Sequence, residues 1–281
     1  MANDFKDISP ELIKQRIPEV KNSGSPEIYR KLFSFLDLTS LNITDSEKSI
    51  SLLVDKVNNF TYSFPDLLNV AAICVFPRFV PIVRKFITVD EINIASVGGS
   101  FPTSQTFLEN KIDECKRIMD KGADEIDIVM SLGEFLAGNL DIVRTEIRSI
   151  KETIGCTHLK VILETGVIHE PELIYSASMI AMESGADFIK TSTGKAPVSA
   201  TPEAAWIMCH AIKDYHELTK REVGFKPAGG ISTKADALLY YSIVESILGK
   251  SWLVPGLFRI GASRLANDLL NTIEGREVNY F

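Results

Sequence analysis

The hydrophobic and polar positions of this chain repeat one pattern from about residue 31 onward. A short run rich in β-branched and apolar residues is followed by a polar turn, and then by apolar residues at helical spacing. Such runs predict eight strands, at residues 32–38, 69–76, 92–97, 125–130, 158–164, 188–193, 223–228 and 257–262. The helices predicted after them span residues 44–59, 78–86, 103–121, 140–153, 170–184, 201–218, 233–248 and 263–273.

Several predicted strands are apolar on both faces, as in AAICVF (71–76) and IDIVM (126–130). This composition is typical of a parallel sheet that helices cover on its faces. Eight strand–helix units in ~250 residues favour a closed (β/α)8 TIM barrel. No GxGxxG motif opens the first helix, which disfavours a dinucleotide-binding sheet. We therefore expect an α/β fold with a barrel at residues 31–281, preceded by a short helical extension at residues 1–30 that starts at Ser9-Pro10.

A lysine lies inside the sixth predicted strand, at Lys190. Burying an ammonium group without a partner is costly, so its position needs an explanation. One interpretation is an edge strand with the lysine in water, or a buried ion pair with a carboxylate such as Asp187. Strand alternation puts Asp187 and Lys190 on opposite faces, which makes that pair awkward. The other is a lysine kept neutral enough to attack a carbonyl and form a Schiff base.

Ionisable residues collect at the predicted carboxyl ends of the strands, where TIM-barrel active sites lie. Lys226, on the seventh strand, would neighbour Lys190, and two ammonium groups ~6 Å apart repel by about 3 kcal/mol at an effective dielectric constant near 20. That repulsion would favour the neutral form of one lysine. Asp127 would supply compensating charge or relay protons, although a purely structural ion pair is the alternative interpretation.

Small residues follow the last three strands, at Gly194-Lys195, Gly229-Gly230 and Gly261-Ala262-Ser263. Barrels of this class often bind phosphate there, using backbone N–H groups and a helix N-terminus. We expect a phosphate site at these loops.

Composition narrows the functional classes. The net charge of −7 gives no electrostatic footprint for nucleic acid and does not favour anionic membranes. The four scattered cysteines indicate reduced intracellular thiols, and neither they nor the four histidines show metal-ligand spacing. We find no signal peptide and no membrane-spanning run, so a cytoplasmic location is expected.

Eight segments together resemble the deoxyribose-phosphate aldolases, class I aldolases of the DeoC type. The resemblance covers residues 33 to 270, and its most specific motifs are GADFIKTSTGKAP (185–197) and VGFKPAGGIST (223–233). The other segments are FLDLTSLN (35–42), AAICVFPRFVPIVRK (71–85), ASVGGSFP (95–102), ADEIDIVM (123–130), KVILETG (160–166) and FRIGAS (258–263).

The resemblance implies reversible cleavage of 2-deoxy-D-ribose 5-phosphate to D-glyceraldehyde 3-phosphate and acetaldehyde. It implies that Lys190 is the Schiff-base nucleophile, that Lys226 lowers the pKa of Lys190, and that Asp127 is the acid/base partner. The substrate-binding residues that it implies are Thr39, Cys74, Gly194, Lys195, Gly229, Gly230, Gly261 and Ser263. The resemblance implies that the protein uses no metal and no organic cofactor, and that its partners are phosphosugar and aldehyde substrates. We also expect a homodimer.

Two features depart from the family pattern or align poorly with it. Arg264 follows Ser263 where many relatives carry a second serine, so it either contacts phosphate or points away from the rim. Tyr280 near the end of the chain matches a mobile tail tyrosine or lies in a frayed terminus. Two other functions stay open, a different Schiff-base barrel with a single lysine and a catalytically silent phosphosugar-binding barrel.

Overall fold

A computed structural model describes residues 10–17 and 24–281. Its strands are β1 (Leu36–Thr39), β2 (Ala72–Val75), β3 (Asn93–Gly98), β4 (Glu125–Val129), β5 (His158–Ile162), β6 (Phe188–Lys190), β7 (Gly224–Lys226) and β8 (Ile260–Ala262). Its helices are α1 (Pro10–Arg16), α2 (Pro26–Ser34), α3 (Glu47–Asn58), α4 (Phe60–Ser63), α5 (Val80–Phe86), α6 (Leu108–Asp120), α7 (Leu132–Leu136), α8 (Leu140–Ile154), α9 (Pro171–Glu183), α10 (Pro202–Thr219), α11 (Lys234–Leu248) and α12 (Leu265–Glu274). The predicted (β/α)8 barrel is confirmed.

The eight strands form one parallel sheet in the order β7-β6-β5-β4-β3-β2-β1-β8. The barrel closes between β7 and β8 through the parallel bridges Phe225–Phe258 and Ala228–Gly261. The carboxyl ends of all strands therefore meet at one rim. The residues that end β6 and β7, Lys190 and Lys226, are direct register partners.

Helix starts follow local capping chemistry. The hydroxyl of Thr201 accepts from the N–H of Ala204 at the start of α10, where Pro202 fits the first turn. The helix predicted at Thr44 begins later, because Ser46 is the N-cap and exchanges hydrogen bonds with Ser49. These caps orient the helices that cover the barrel.

The first predicted strand is wrong at its start. Residues 32–34 end α2, and β1 begins only at Leu36. The Ser25 cap and Pro26 start α2, and Tyr29, Leu32 and Phe33 then bury one helical face. A short apolar run does not by itself distinguish a strand from the end of a buried helix. The predicted domain boundary near residue 30 therefore falls within α2.

The two ends of the chain pack on the barrel where they are described. Ile13 of α1 is buried, whereas the predicted cap Ser9 lies outside the described residues. At the other end, the side-chain oxygen of Asn267 accepts from the backbone N–H groups of Tyr280 and Phe281. The interpretation of the tail as a frayed terminus is therefore wrong. Within the described part of the chain, no helix is long and apolar enough to cross a membrane.

Candidate active site

Charged side chains fill part of the barrel interior, where hydrophobic residues usually dominate. These side chains are all almost fully buried, and we call them the ionic network: Asp37, Glu125, Asp127, Lys160, Lys190, Lys226 and Arg259. Buried charges require partners, and every member of the network contacts a group of opposite sign. The network therefore forms one continuous cluster.

The centre of the network is a carboxylate shared by two lysines. The ammonium nitrogens of Lys190 and Lys226 each donate to the same oxygen, Oδ2 of Asp127, at 2.7 Å. The two nitrogens therefore lie no farther apart than twice that distance. The structure thus brings together the three residues that sequence reasoning assigned to catalysis. Asp127 itself is the middle residue of β4 and lies below the rim.

The alternative pairing of Lys190 with Asp187 does not occur. One oxygen of Asp187 accepts from Lys151 at 2.7 Å, and the other from Arg221 at 3.3 Å. Asp187 thus belongs to an ion-pair group on the outer side of the barrel, as strand alternation predicts. Lys190 is left to face the interior.

The pKa values of the two lysines are shifted in opposite directions. Burial lowers the pKa of Lys190, and the neighbouring Lys226 lowers it further, against the opposing effect of Asp127. Burial also acts on Lys226, but the carboxylates of Asp127 and Asp37 outweigh it and raise the pKa of Lys226. The like-charge effect expected from the sequence is present, and burial is the larger cause. Lys190 is the lysine better able to act as a neutral amine.

Asp127 stays ionised despite its burial. Burial by itself favours the protonated acid, but Lys160, Lys190 and Lys226 hold the pKa of Asp127 well below its usual range. Lys160 contacts the second oxygen of Asp127 at 3.1 Å. The carboxylate can accept a proton only when one of these cations gives up its charge or moves.

A lower layer of the network was missed by sequence reasoning. Arg259 donates to Asp37 at 2.6 Å and to Glu125 at 2.8 Å, and Lys160 makes a very short contact with Glu125. Lys160 carried the signal that singled out Lys190, because it too interrupts an apolar strand. The partners of Lys160 and Arg259 lie on other strands, at least 33 residues away in sequence, so their role could not be read from local sequence.

Above Lys190 lies a cavity of about 270 Å³ that opens at the rim. Of the predicted residues, it is lined by Lys190, Thr39, Gly194, Lys195, Gly229, Gly230, Gly261 and Ser263. The ammonium of Lys195 donates to the backbone oxygen of Leu41 at 2.7 Å, so it ties the loop after β6 to the loop after β1. The three glycine-containing loops thus meet beside the amine of Lys190.

Two of these glycines are required by close contacts. Gly229 has a φ of +85°, and a Cβ atom there would lie 2.6 Å from Ser199. At Gly261 a Cβ atom would lie 2.8 Å from the Cβ of Ala228 and 3.2 Å from the Cε of Lys226. Larger residues at either position would push the loops apart, and at Gly261 they would displace the Lys226 side chain.

Cys74 interacts electrostatically with Lys190 but lies outside the described lining of the cavity. It is fully buried in a small apolar cluster. Burial raises the pKa of its thiol. Cys74 therefore shares a cluster with Leu41, which lines the cavity, and its protonated thiol is a poor nucleophile.

Arg264 and Tyr280 have different surroundings. Arg264 precedes α12 and lines the cavity together with Ser263. It also lines an adjoining cavity of about 360 Å³, which Phe281 of the tail helps to enclose. The hydroxyl of Tyr280 instead donates to the backbone oxygen of Lys56 at 2.7 Å, outside the described lining of the first cavity.

Comparison with known proteins gives a consistent result. A family model described as DeoC/LacD family aldolase matches residues 35–250. A human deoxyribose-phosphate aldolase is 41% identical over 254 residues, covering 85% of this chain and 78% of the human protein. A Caenorhabditis elegans protein, whose name assigns it provisionally to the same enzyme, is 42% identical over 254 residues, covering 90% and 84% of the two chains.

A solved structure extends the similarity to the fold. The deoxyribose phosphate aldolase from Aeropyrum pernix, whose title describes a unique tetramer, matches with a TM-score of 0.68 at 22% identity. The match covers 94% of this chain and 98% of that one. Together with the residue matches above, these comparisons show that the chain belongs to the DeoC/LacD family of aldolases.

Proposed function

We propose that this protein is a class I aldolase that reversibly cleaves 2-deoxy-D-ribose 5-phosphate to D-glyceraldehyde 3-phosphate and acetaldehyde. The observation that carries the proposal is the Lys190 amine, which shares Asp127 with Lys226 and faces a cavity bordered by glycine loops. The names of the relatives support the same substrate.

In the proposed mechanism, the neutral amine of Lys190 attacks the aldehyde carbon of the open-chain sugar. Loss of water from the resulting carbinolamine gives an iminium ion, which acts as an electron sink. A base then removes the proton of the C3 hydroxyl, the C2–C3 bond breaks, and its electron pair flows to the iminium nitrogen. This step releases D-glyceraldehyde 3-phosphate and leaves an enamine on Lys190.

Protonation of the enamine at C2 and hydrolysis of the new iminium ion release acetaldehyde and restore the lysine. Asp127 is the group we assign to these proton transfers, because its carboxylate contacts the nitrogen that reacts, and Lys226 supports it by donating to the same carboxylate oxygen. Asp127 also stabilises the cationic nitrogen that forms along the pathway. Lys226, whose pKa is raised, stays charged and keeps the neighbouring amine neutral.

We assign the phosphate end of the sugar to the loops after β6, β7 and β8. Gly194, Gly229 and Gly230 bring backbone groups to the cavity, and Ser263 lies just before α12. N–H groups at a helix start bind anions well, and the helix dipole adds to this attraction. Lys195 contributes positive charge. Homo-oligomeric assembly and a cytoplasmic location belong to this proposal as well.

The test is covalent trapping with acetaldehyde and borohydride, followed by intact mass and peptide mapping. We expect a single reduced adduct on Lys190, and loss of both trapping and cleavage in Lys190→Ala. Lys213→Ala, which changes an exposed lysine on α10, is the matched control and should behave like the wild type. Retention of more than about a hundredth of the rate by Lys190→Ala would contradict the proposal, since other groups do not replace covalent catalysis.

The same experiment separates the other candidate functions. A silent phosphosugar-binding barrel would bind the substrate without forming an adduct. A different Schiff-base aldolase would be trapped with another carbonyl compound but would not cleave 2-deoxyribose 5-phosphate.

A further inference from the structure

The ionic network carries an imbalance of charge. It contains three carboxylates, at Asp37, Glu125 and Asp127, whereas its four cationic side chains are Lys160, Lys190, Lys226 and Arg259. All seven are buried, so water screens them poorly. If every member were ionised, the buried cluster would hold one excess positive charge, and loss of one proton would balance it.

Lys190 is the member best placed to lose that proton. Among the described residues it contacts one carboxylate, Asp127, and Lys226 shares the same oxygen. Lys226 is held by two carboxylates and Lys160 by three, at distances up to 3.8 Å. Arg259 bridges two carboxylates and does not deprotonate in proteins.

We propose that the charge of the whole ionic network, set by Lys160, Glu125 and Arg259 as well as by Lys226, keeps the amine of Lys190 unprotonated. This inference rests on the proposed Schiff-base function and adds positioning residues that do not touch the substrate. Lys160 connects the two layers, because it contacts Glu125 below and the Oδ1 atom of Asp127 above. Arg259 neutralises Glu125 and Asp37 from the base of the barrel.

The groups that face Lys190 come from nearly every strand. Besides the other six members of the network, Cys74 acts on its amine, Lys195 and Arg264 line the same cavity, and Glu164 lies just after β5. Cys74 stays neutral because burial raises its pKa, and Glu164 accepts from the N–H of Thr193 at the end of the sixth unit. Lys195 and Arg264 lie at the open cavity, where water screens them. The charge of the buried network is therefore the main influence on the protonation of Lys190.

Two substitutions with opposite charge effects test this proposal. Lys160→Met removes one positive charge and leaves every remaining carboxylate with a cationic partner. The balanced network then retains a protonated Lys190. The acid limb of the pH profile of acetaldehyde trapping, where the rate falls as the pH is lowered, should therefore move to higher pH by about one unit. Glu125→Gln removes one negative charge, and the same limb should move to lower pH. The double variant restores the original imbalance and should return the limb to within a few tenths of a unit of the wild type.

Arg259→Lys is the control that conserves charge, and its acid limb should stay in place. Circular dichroism and thermal melting establish which variants fold. If Glu125→Gln does not fold, the comparison of Lys160→Met with Arg259→Lys still tests the proposal. The acid limb must move to higher pH in Lys160→Met and stay in place in Arg259→Lys. An unchanged limb in Lys160→Met, or shifts in the same direction for both charge changes, would overturn the proposal. Absence of trapping in the wild type would instead refute the Schiff-base function itself.

Discussion

The role of Arg264 gives the sharpest prediction about the substrate. Arg264 lies at the start of α12, beside Ser263, and lines the cavity that contains the glycine loops. A phosphate bound there would meet the free N–H groups of the helix start and the guanidinium group together. Replacement by serine, as in Arg264→Ser, removes the charge but keeps a small polar side chain.

The expected magnitude follows from the exposure of this side chain. Hydrogen bonds to charged groups contribute about 1.5–3 kcal/mol. Arg264 is exposed at the rim, so the lower end of that range applies. A loss of about 1.4 kcal/mol corresponds to a ten-fold change in an equilibrium constant. We therefore expect Arg264→Ser to raise KM for 2-deoxyribose 5-phosphate about ten-fold, with little change in kcat.

The assay compares the phosphorylated sugar with unphosphorylated 2-deoxyribose on each protein. Activity on 2-deoxyribose should barely change in Arg264→Ser, because that substrate has no phosphate group for Arg264 to contact. Arg276→Ser is the matched control, since Arg276 lies just beyond the other end of α12 and contacts Glu274 there. Equal effects on both substrates, or no effect on either, would place Arg264 outside the phosphate site. An equal rise of KM in Arg276→Ser would show that the effect of Arg264→Ser comes from the net charge of the protein and not from a contact with phosphate.

Three further predictions concern buried charges. Lys226→Leu should raise the pKa of Lys190 by removing a neighbouring positive charge, so the acid limb of borohydride trapping moves to higher pH; an unchanged limb would contradict this role. Asp127→Asn should slow turnover more than it slows adduct formation, measured by comparing steady-state cleavage with trapping rates, and equal losses would indicate a structural role. Lys111→Met should destabilise the protein by about 3–5 kcal/mol in urea unfolding, because it leaves the buried Glu146 without its cation, and the pH profile of trapping should keep its shape.

Sequence periodicity was sufficient for the architecture. Strands that are apolar on both faces alternate with helices that are apolar on one, and a closed barrel buries both kinds of surface. In α8, for example, Val143, Ile147, Ile150 and Ile154 recur at helical spacing and are all buried. Element ends were less predictable, as at residues 32–34, because a short apolar run fits a buried helix as well as a strand.

The candidate site was predictable where a charged residue stands alone in an apolar strand. Lys190, Lys226 and Asp127 were identified because the burial of such groups needs a reason, and the fold brings strand ends to one rim. The lower layer is different. Lys160 and Arg259 carry the same kind of signal, but the sequence does not tell which carboxylates they meet across the barrel.

The sequence by itself therefore determined the fold class, the rim at which the candidate site forms and the lysine that we propose as the nucleophile. Only the tertiary structure decided which ions share a partner, and hence that the pKa of Lys190 is lowered while that of Lys226 is raised. It also decided the burial of Cys74 and the docking of Tyr280 against α3. The physical reason is that periodicity is a local property of the chain. A buried charge responds instead to every charge within several ångströms, whatever the distance between them in sequence.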